Sequence, residues 1–132
     1  MTRTLIIILA LAPLVGVFGC NKESKQAPAE NIVITFTEPT SGDTIASYNS
    51  LHSEGTISSD GNMKGYSIVY IDEATNDILF ESSYDTETDA YNFHEHWLNN
   101  VSTTTQVIVR VIAKKDHDGN TETKEMTVTC LQ

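Results

Sequence analysis

Two hydrophobic patterns divide the chain. Residues 5–18 read Leu-Ile-Ile-Ile-Leu-Ala-Leu-Ala-Pro-Leu-Val-Gly-Val-Phe, fourteen positions without a charged or hydrogen-bonding side chain. From Ile32 onward the apolar positions recur every second residue, the spacing of strands with one buried face. Ile32, Ile34 and Phe36 share a face, and Glu38-Pro39-Thr40-Ser41-Gly42-Asp43 is turn chemistry. A second strand is predicted over residues 50–57, ended by the breaker Ser58-Ser59-Asp60-Gly61-Asn62. Residues 64–72 place Tyr66, Ile68 and Tyr70 on one face and Val69 and Ile71 on the other. After a turn at 74–77, residues 78–84 alternate through Ile78, Phe80 and Ser82. An acidic loop over 85–89 leads to a strand over 91–98, and 89–98 is the one stretch long enough to read also as a helix. Residues 105–114 form the clearest strand, with Val107, Val109, Val111 and Ala113 opposite Arg110 and Lys114. Residues 123–130 align Met126, Val128 and Cys130. Seven strands with turn signals about every ten residues predict an all-β, antiparallel β-sandwich.

The leading apolar run has a different meaning. A membrane-spanning helix needs about 20 apolar residues, so fourteen residues behind Arg3 fit the core of a cleaved signal peptide better than a permanent span. Its end, Val17-Phe18-Gly19-Cys20, resembles the bacterial lipobox, with an aliphatic residue at −3, a small one at −1 and cysteine at +1. Phe18 at −2 is bulkier than that motif usually carries. The resemblance implies a diacylglycerol on the Cys20 thiol, cleavage after Gly19 and acylation of the new amino group. Two or more acyl chains anchor stably where one is marginal. The expected organisation is therefore a signal peptide over 1–19, lipidated Cys20 with a flexible tether over 20–31, and one domain over 32–132. Asn21 is not the aspartate associated with inner-membrane retention, so the outer membrane is the expected address. Lys22-Glu23 also resembles the short Lys-acidic export signals of Bacteroidota lipoproteins, although a solvated linker explains those two residues equally well.

Within the domain, Pro39-x-x-Gly42-Asp43, Gly55-x-Ile57, Val109-x-Val111-x-Ala113 and Asp118-Gly119-Asn120 together resemble the small Ig-like surface lipoproteins of Bacteroidota. That resemblance implies an Ig-like sandwich and an envelope setting, with no known activity attached. The Cys…Trp…Cys pattern of antibody-type domains is missing, so no inter-sheet disulfide is expected.

Charge narrows the partners. The 132 residues hold 18 acidic against 8 basic side chains, a net −10, and losing Arg3 with the leader makes the mature chain −11. Such a surface excludes nucleic acid as the main partner and holds the domain off anionic lipid headgroups. The expected partners are the membrane, through Cys20, and a surface protein or glycan. Of the two cysteines, Cys20 is taken by lipid, which leaves Cys130 as a small apolar residue of the last strand.

Candidate chemistry centres on four histidines. His94 and His96 stand two apart in Phe93-His94-Glu95-His96-Trp97. On a strand they share a face with Cα atoms about 6.6 Å apart, close enough to converge on one ion. His52 and His117 could add imidazole, and Asp116 or Asp118 a carboxylate; this donor set suits zinc or copper. No other cofactor is implied. Asp116-His117-Asp118-Gly119-Asn120 begins like a calcium loop, but the twelfth position that an EF-hand fills with Glu is Thr127, and hairpin chemistry explains Gly119 and Asn120. Tyr48, Tyr66, Tyr70, Tyr84, Tyr91 and Trp97 could form a glycan-stacking platform, or serve as core and edge. There is no nucleophile elbow, metalloprotease helix or phosphate loop, so no enzyme is expected. The leading expectation is a lipid-anchored, non-catalytic binding module; a metal-binding lipoprotein using His94 and His96 is the alternative.

Overall fold

A computed structural model describes residues 27–132, and the leader, the lipobox and Cys20 lie outside the described residues. Eight strands follow one another: β1 (Ile32–Glu38), β2 (Thr44–Ile45), β3 (Ser50–Met63), β4 (Tyr66–Asp72), β5 (Ile78–Tyr84), β6 (Thr88–Leu98), β7 (Thr105–Lys114) and β8 (Thr121–Cys130). They form a three-stranded sheet, β1-β3-β6, packed on a five-stranded sheet, β2-β8-β7-β4-β5. Every pairing is antiparallel except the short β2–β8 contact. This is the all-β sandwich expected from the strand period; among the described residues Cys130 is a buried free thiol.

The alternation explains the core. Val107, Val109, Val111 and Ala113 on β7 are fully buried, as are Ile68 and Tyr70 on β4 and Val128 and Cys130 on β8. Ile34, Leu51, Ile57 and Phe93 answer them from the opposite sheet. Each fully buried aliphatic side chain stabilises the fold by roughly 1.5–3 kcal/mol relative to exposure. Gly55 sits where β1, β3 and β6 meet, paired with both Phe36 and Phe93. A Cβ there would stand 2.0 Å from the Thr35 carbonyl oxygen and 2.5 Å from the Phe93 ring. The missing side chain lets Phe93 lie over the strand and meet Phe36 edge-on, with ring centroids 5.6 Å apart.

The strand expected over 91–98 is present, and the helical alternative for 89–98 is not taken, because β6 pairs along its length with β3. Two local expectations changed. The Thr44–Ile45 strand was not foreseen; two residues carry no period, and pairing with Thr129 and Cys130 alone makes them a strand. The expected breaker at 58–62 is instead the end of β3, past a bulge relative to β6. Its polar residues serve tertiary contacts rather than a turn. Asp60 accepts hydrogen bonds from the backbone N–H of Glu30 (2.9 Å) and Asn31 (3.1 Å) and from Asn31 Nδ2 (2.6 Å). Those donors hold its carboxyl below the usual range. Pro28 bridges to Asn62 and Ala29 is buried, so the last residues of the expected tether are seated on β3.

All strand ends gather at two poles. The pole where the chain enters β1 also holds the end of β3, the start of β6 and the β7–β8 hairpin. The opposite pole holds the start of β3, the end of β6 and the chain terminus after β8. Asn99, fully buried, ties this second pole together. Its Nδ2 donates to the carbonyls of Ile45 (3.1 Å), Ala46 (3.1 Å) and Leu131 (2.8 Å), and its Oδ1 accepts from Val101 N–H (3.3 Å).

Candidate metal-binding face

In an antiparallel pair, directly opposed residues project to the same side of the sheet. The β3–β6 register opposes His52 to His96 and Glu54 to His94. Leu51, Phe93 and Trp97 occupy the intervening positions and turn inward. The outer face of the small sheet therefore carries three imidazoles and one carboxylate in a compact square. His52 lies 6.0 Å from His94 and 6.1 Å from His96 between ring centroids, and His94 and His96 are 6.3 Å apart. His94 Nε2 is 3.1 Å from Glu54 Oε1. One donor atom each from His52, Glu54 and His94 lie within 4.8 Å of one another.

The surroundings favour a cation. Glu38, paired with Glu54 across the β1–β3 bulge, adds a second carboxylate beside the group. The other residues directly paired on this face of β3 and β6 are Ser50, Thr56, Ser58, Ala90, Asn92 and Leu98, none of them basic. His52 also borders a cleft of about 310 Å³ that includes Glu38, Thr40 and Asp43.

The structure divides the expected ligands. His52, His94 and His96 come together; His117, Asp116 and Asp118 do not join them. His117 pairs with Glu87 at 3.3 Å, beside the start of β6. Glu87 is seven residues from His94, about 23 Å along an extended chain. Asp116 is engaged in its own hairpin, accepting from the N–H groups of Asp118 (2.9 Å) and Asn120 (3.1 Å) and from Asn120 Nδ2 (2.7 Å). These donors, Asn120 foremost, lower its pKa. Gly119, at φ 92°, supplies the left-handed residue of the turn. The calcium-like spelling is therefore hairpin geometry.

Around His117 lies a cleft of about 490 Å³, lined by Lys64, Asp85, Glu87, Lys114 and the hairpin. Both of its lysines are paired: Lys64 binds Glu87 at 2.7 Å and Lys114 binds Asp85 at 2.5 Å. Lys64 is the first cause of the lowered Glu87 pKa.

The aromatic residues do not assemble into an exposed platform. Tyr66 and Tyr70 are buried, and desolvation pushes both hydroxyls up to about 12. Tyr70 donates to Ser53 Oγ at 2.7 Å inside the core. Tyr91 and Trp97 pack beside them, with Tyr66–Tyr91 and Tyr70–Trp97 centroids 5.0 and 6.0 Å apart. The exposed pair, Tyr48 and Tyr84, stand at opposite poles. Glu95, on the inward-facing side of β6, accepts a hydrogen bond from the Tyr84 hydroxyl instead of joining the histidines.

Glu54 is the residue that sequence reading passed over. Its signal was nonetheless present: His52-x-Glu54 has the same two-residue spacing as His94-x-His96. Only the register between the two strands turns those spacings into one group. Compared with known proteins, the chain matches no family model and no curated relative. The class that the fold and face define is a small all-β sandwich with a histidine-carboxylate group on one sheet.

Proposed function

We propose that this protein is a lipid-tethered, non-catalytic Ig-like binding module of the bacterial outer membrane. The leader and the lipobox-like Val17-Phe18-Gly19-Cys20 supply the anchor. The observation that carries the reading is where the chain joins the sandwich. Pro28, Ala29 and the Asp60 clasp seat the incoming segment at one pole. Ile32 pairs with Ser59, seven residues along β3 from His52, which separates them by about 23 Å. A domain held from that pole presents the opposite pole and its histidine face away from the lipid. The net charge of −11 on the mature chain holds the domain off anionic headgroups.

A binding role fits the side chains better than catalysis. In the cleft around His117, Lys64 and Lys114 are each engaged by a carboxylate, and Ser53 is sealed in the core against Tyr70. The presented face has room for a surface protein, a glycan or an ion. The test is Cys20→Ser in the native host, with metabolic palmitate labelling and membrane fractionation. Loss of label together with release from the membrane fraction is expected. An unlabelled variant that stays with the membrane overturns the anchor.

A further inference from the structure

We infer that the outer face of the β1-β3-β6 sheet is a binding site for a borderline divalent cation, of the zinc or copper class, held by His52, Glu54 and His94 with His96 as the fourth donor. The inference is independent of the lipid anchor, because it rests on side chains of the folded domain alone.

The donor set is the first argument. Imidazole nitrogen with a single carboxylate oxygen suits Zn²⁺ and Cu²⁺, whereas Ca²⁺ and Mg²⁺ prefer all-oxygen shells. Geometry is the second. A tetrahedral ion with bonds of about 2.1 Å places its donors about 3.4 Å apart. His94 Nε2 and Glu54 Oε1 already stand 3.1 Å apart. The full trio lies within 4.8 Å, a gap that exposed side chains close by rotation about χ1 and χ2. His96 faces His52 directly across the strands, its ring at the same distance as that of His94. The backbone need not move, since two strands joined along ten residue pairs hold all four Cα atoms.

Electrostatics is the third argument. The group carries Glu54, with Glu38 alongside, and no lysine or arginine among the directly paired residues of that face. At the other pole the carboxylate that contacts a histidine already has a cationic partner: Glu87 holds Lys64 as well as His117. The free donors on the sheet face are what a metal needs.

Isothermal titration of the full-length protein in detergent with ZnCl₂ and with CuSO₄ tests this. One ion per chain is expected, with Kd of about 10 μM or tighter and copper the tighter of the two. His52→Ala, His94→Ala and Glu54→Gln should each weaken binding about 10-fold or more, and His96→Ala somewhat less. His117→Ala should leave binding within about two-fold, because it lies outside the group. Circular dichroism and thermal melting of the metal-free variants verify folding; these side chains are on the surface, so the fold is retained. A second readout is the Cu²⁺ electron paramagnetic resonance spectrum, which should show coordinated imidazole nitrogen that diminishes in His52→Ala and His94→Ala. Binding weaker than about 10 μM for both ions overturns the site. So does affinity that survives loss of His52 and His94 together, or that falls as far with His117→Ala.

Discussion

The two poles of this sandwich carry similar residues in opposite electrical states. At the pole where the chain joins the fold, His117, Glu87 and Lys64 form one ion-paired group and Asp85 and Lys114 another, so that each of these two carboxylates already meets a lysine. Toward the other pole, His52, Glu54, His94 and His96 stand on a sheet face with no lysine or arginine among the residues directly paired on β3 and β6. Both contain a His–Glu contact just over 3 Å long, 3.3 Å in the first and 3.1 Å in the second. A histidine beside a carboxylate is therefore not in itself a site; what separates the two regions is whether the donors remain free. The scaffold differs as well. His117 rides on a five-residue turn held by Asp116, whereas the other three belong to strands whose spacing the whole sheet maintains.

The contrast breaks most sharply in a double variant. Removing His52 and His94 together should lower zinc affinity by about three orders of magnitude, while His117→Ala changes it less than about two-fold. Titration calorimetry on the three proteins decides, and equal effects would erase the distinction between the poles. Next in size is Asn99→Ala. It strands the carbonyls of Ile45, Ala46 and Leu131 without their shared donor and should lower unfolding free energy by about 2–4 kcal/mol in a urea titration. Gly55→Ala should follow at about 2 kcal/mol, since its Cβ would collide with the Thr35 carbonyl and the Phe93 ring. Because Gly55 directly follows Glu54 on β3, this variant should also weaken metal binding, which a stability effect confined to the core would not do.

Smaller effects come from proton linkage and from the paired lysines. Burial pushes the Cys130 thiol up to about 11, so the folded state retains a proton that the unfolded chain releases near pH 8.5. The resulting stability is complete below that pH and is lost as pH rises toward 11, visible as a declining melting temperature. The same burial should make Cys130 inert to a thiol reagent at pH 8 until the chain is unfolded. Lys114→Ala removes an exposed ion pair with Asp85 and should move the melting temperature by no more than about 2 °C, with metal affinity unaffected.

The sequence by itself determined the class of fold. Alternation through Val107, Val109, Val111 and Ala113, and through Tyr66, Ile68 and Tyr70, leaves only a strand with a buried face as a way to remove those side chains from water. It also determined the hairpin at 116–120, because Asp116, Gly119 and Asn120 act on their own local backbone. Tertiary structure decided the rest, wherever a residue's partner is distant along the chain. Asp60 reads as a turn former and is a clasp for residues thirty positions upstream. Asn99 lies just past the strand expected over 91–98 and is the buried knot of one pole. The two-residue spacings His52-x-Glu54 and His94-x-His96 were both legible, but their union was not. A strand's own period says which residues share its face; only the register with its neighbour says which of them meet.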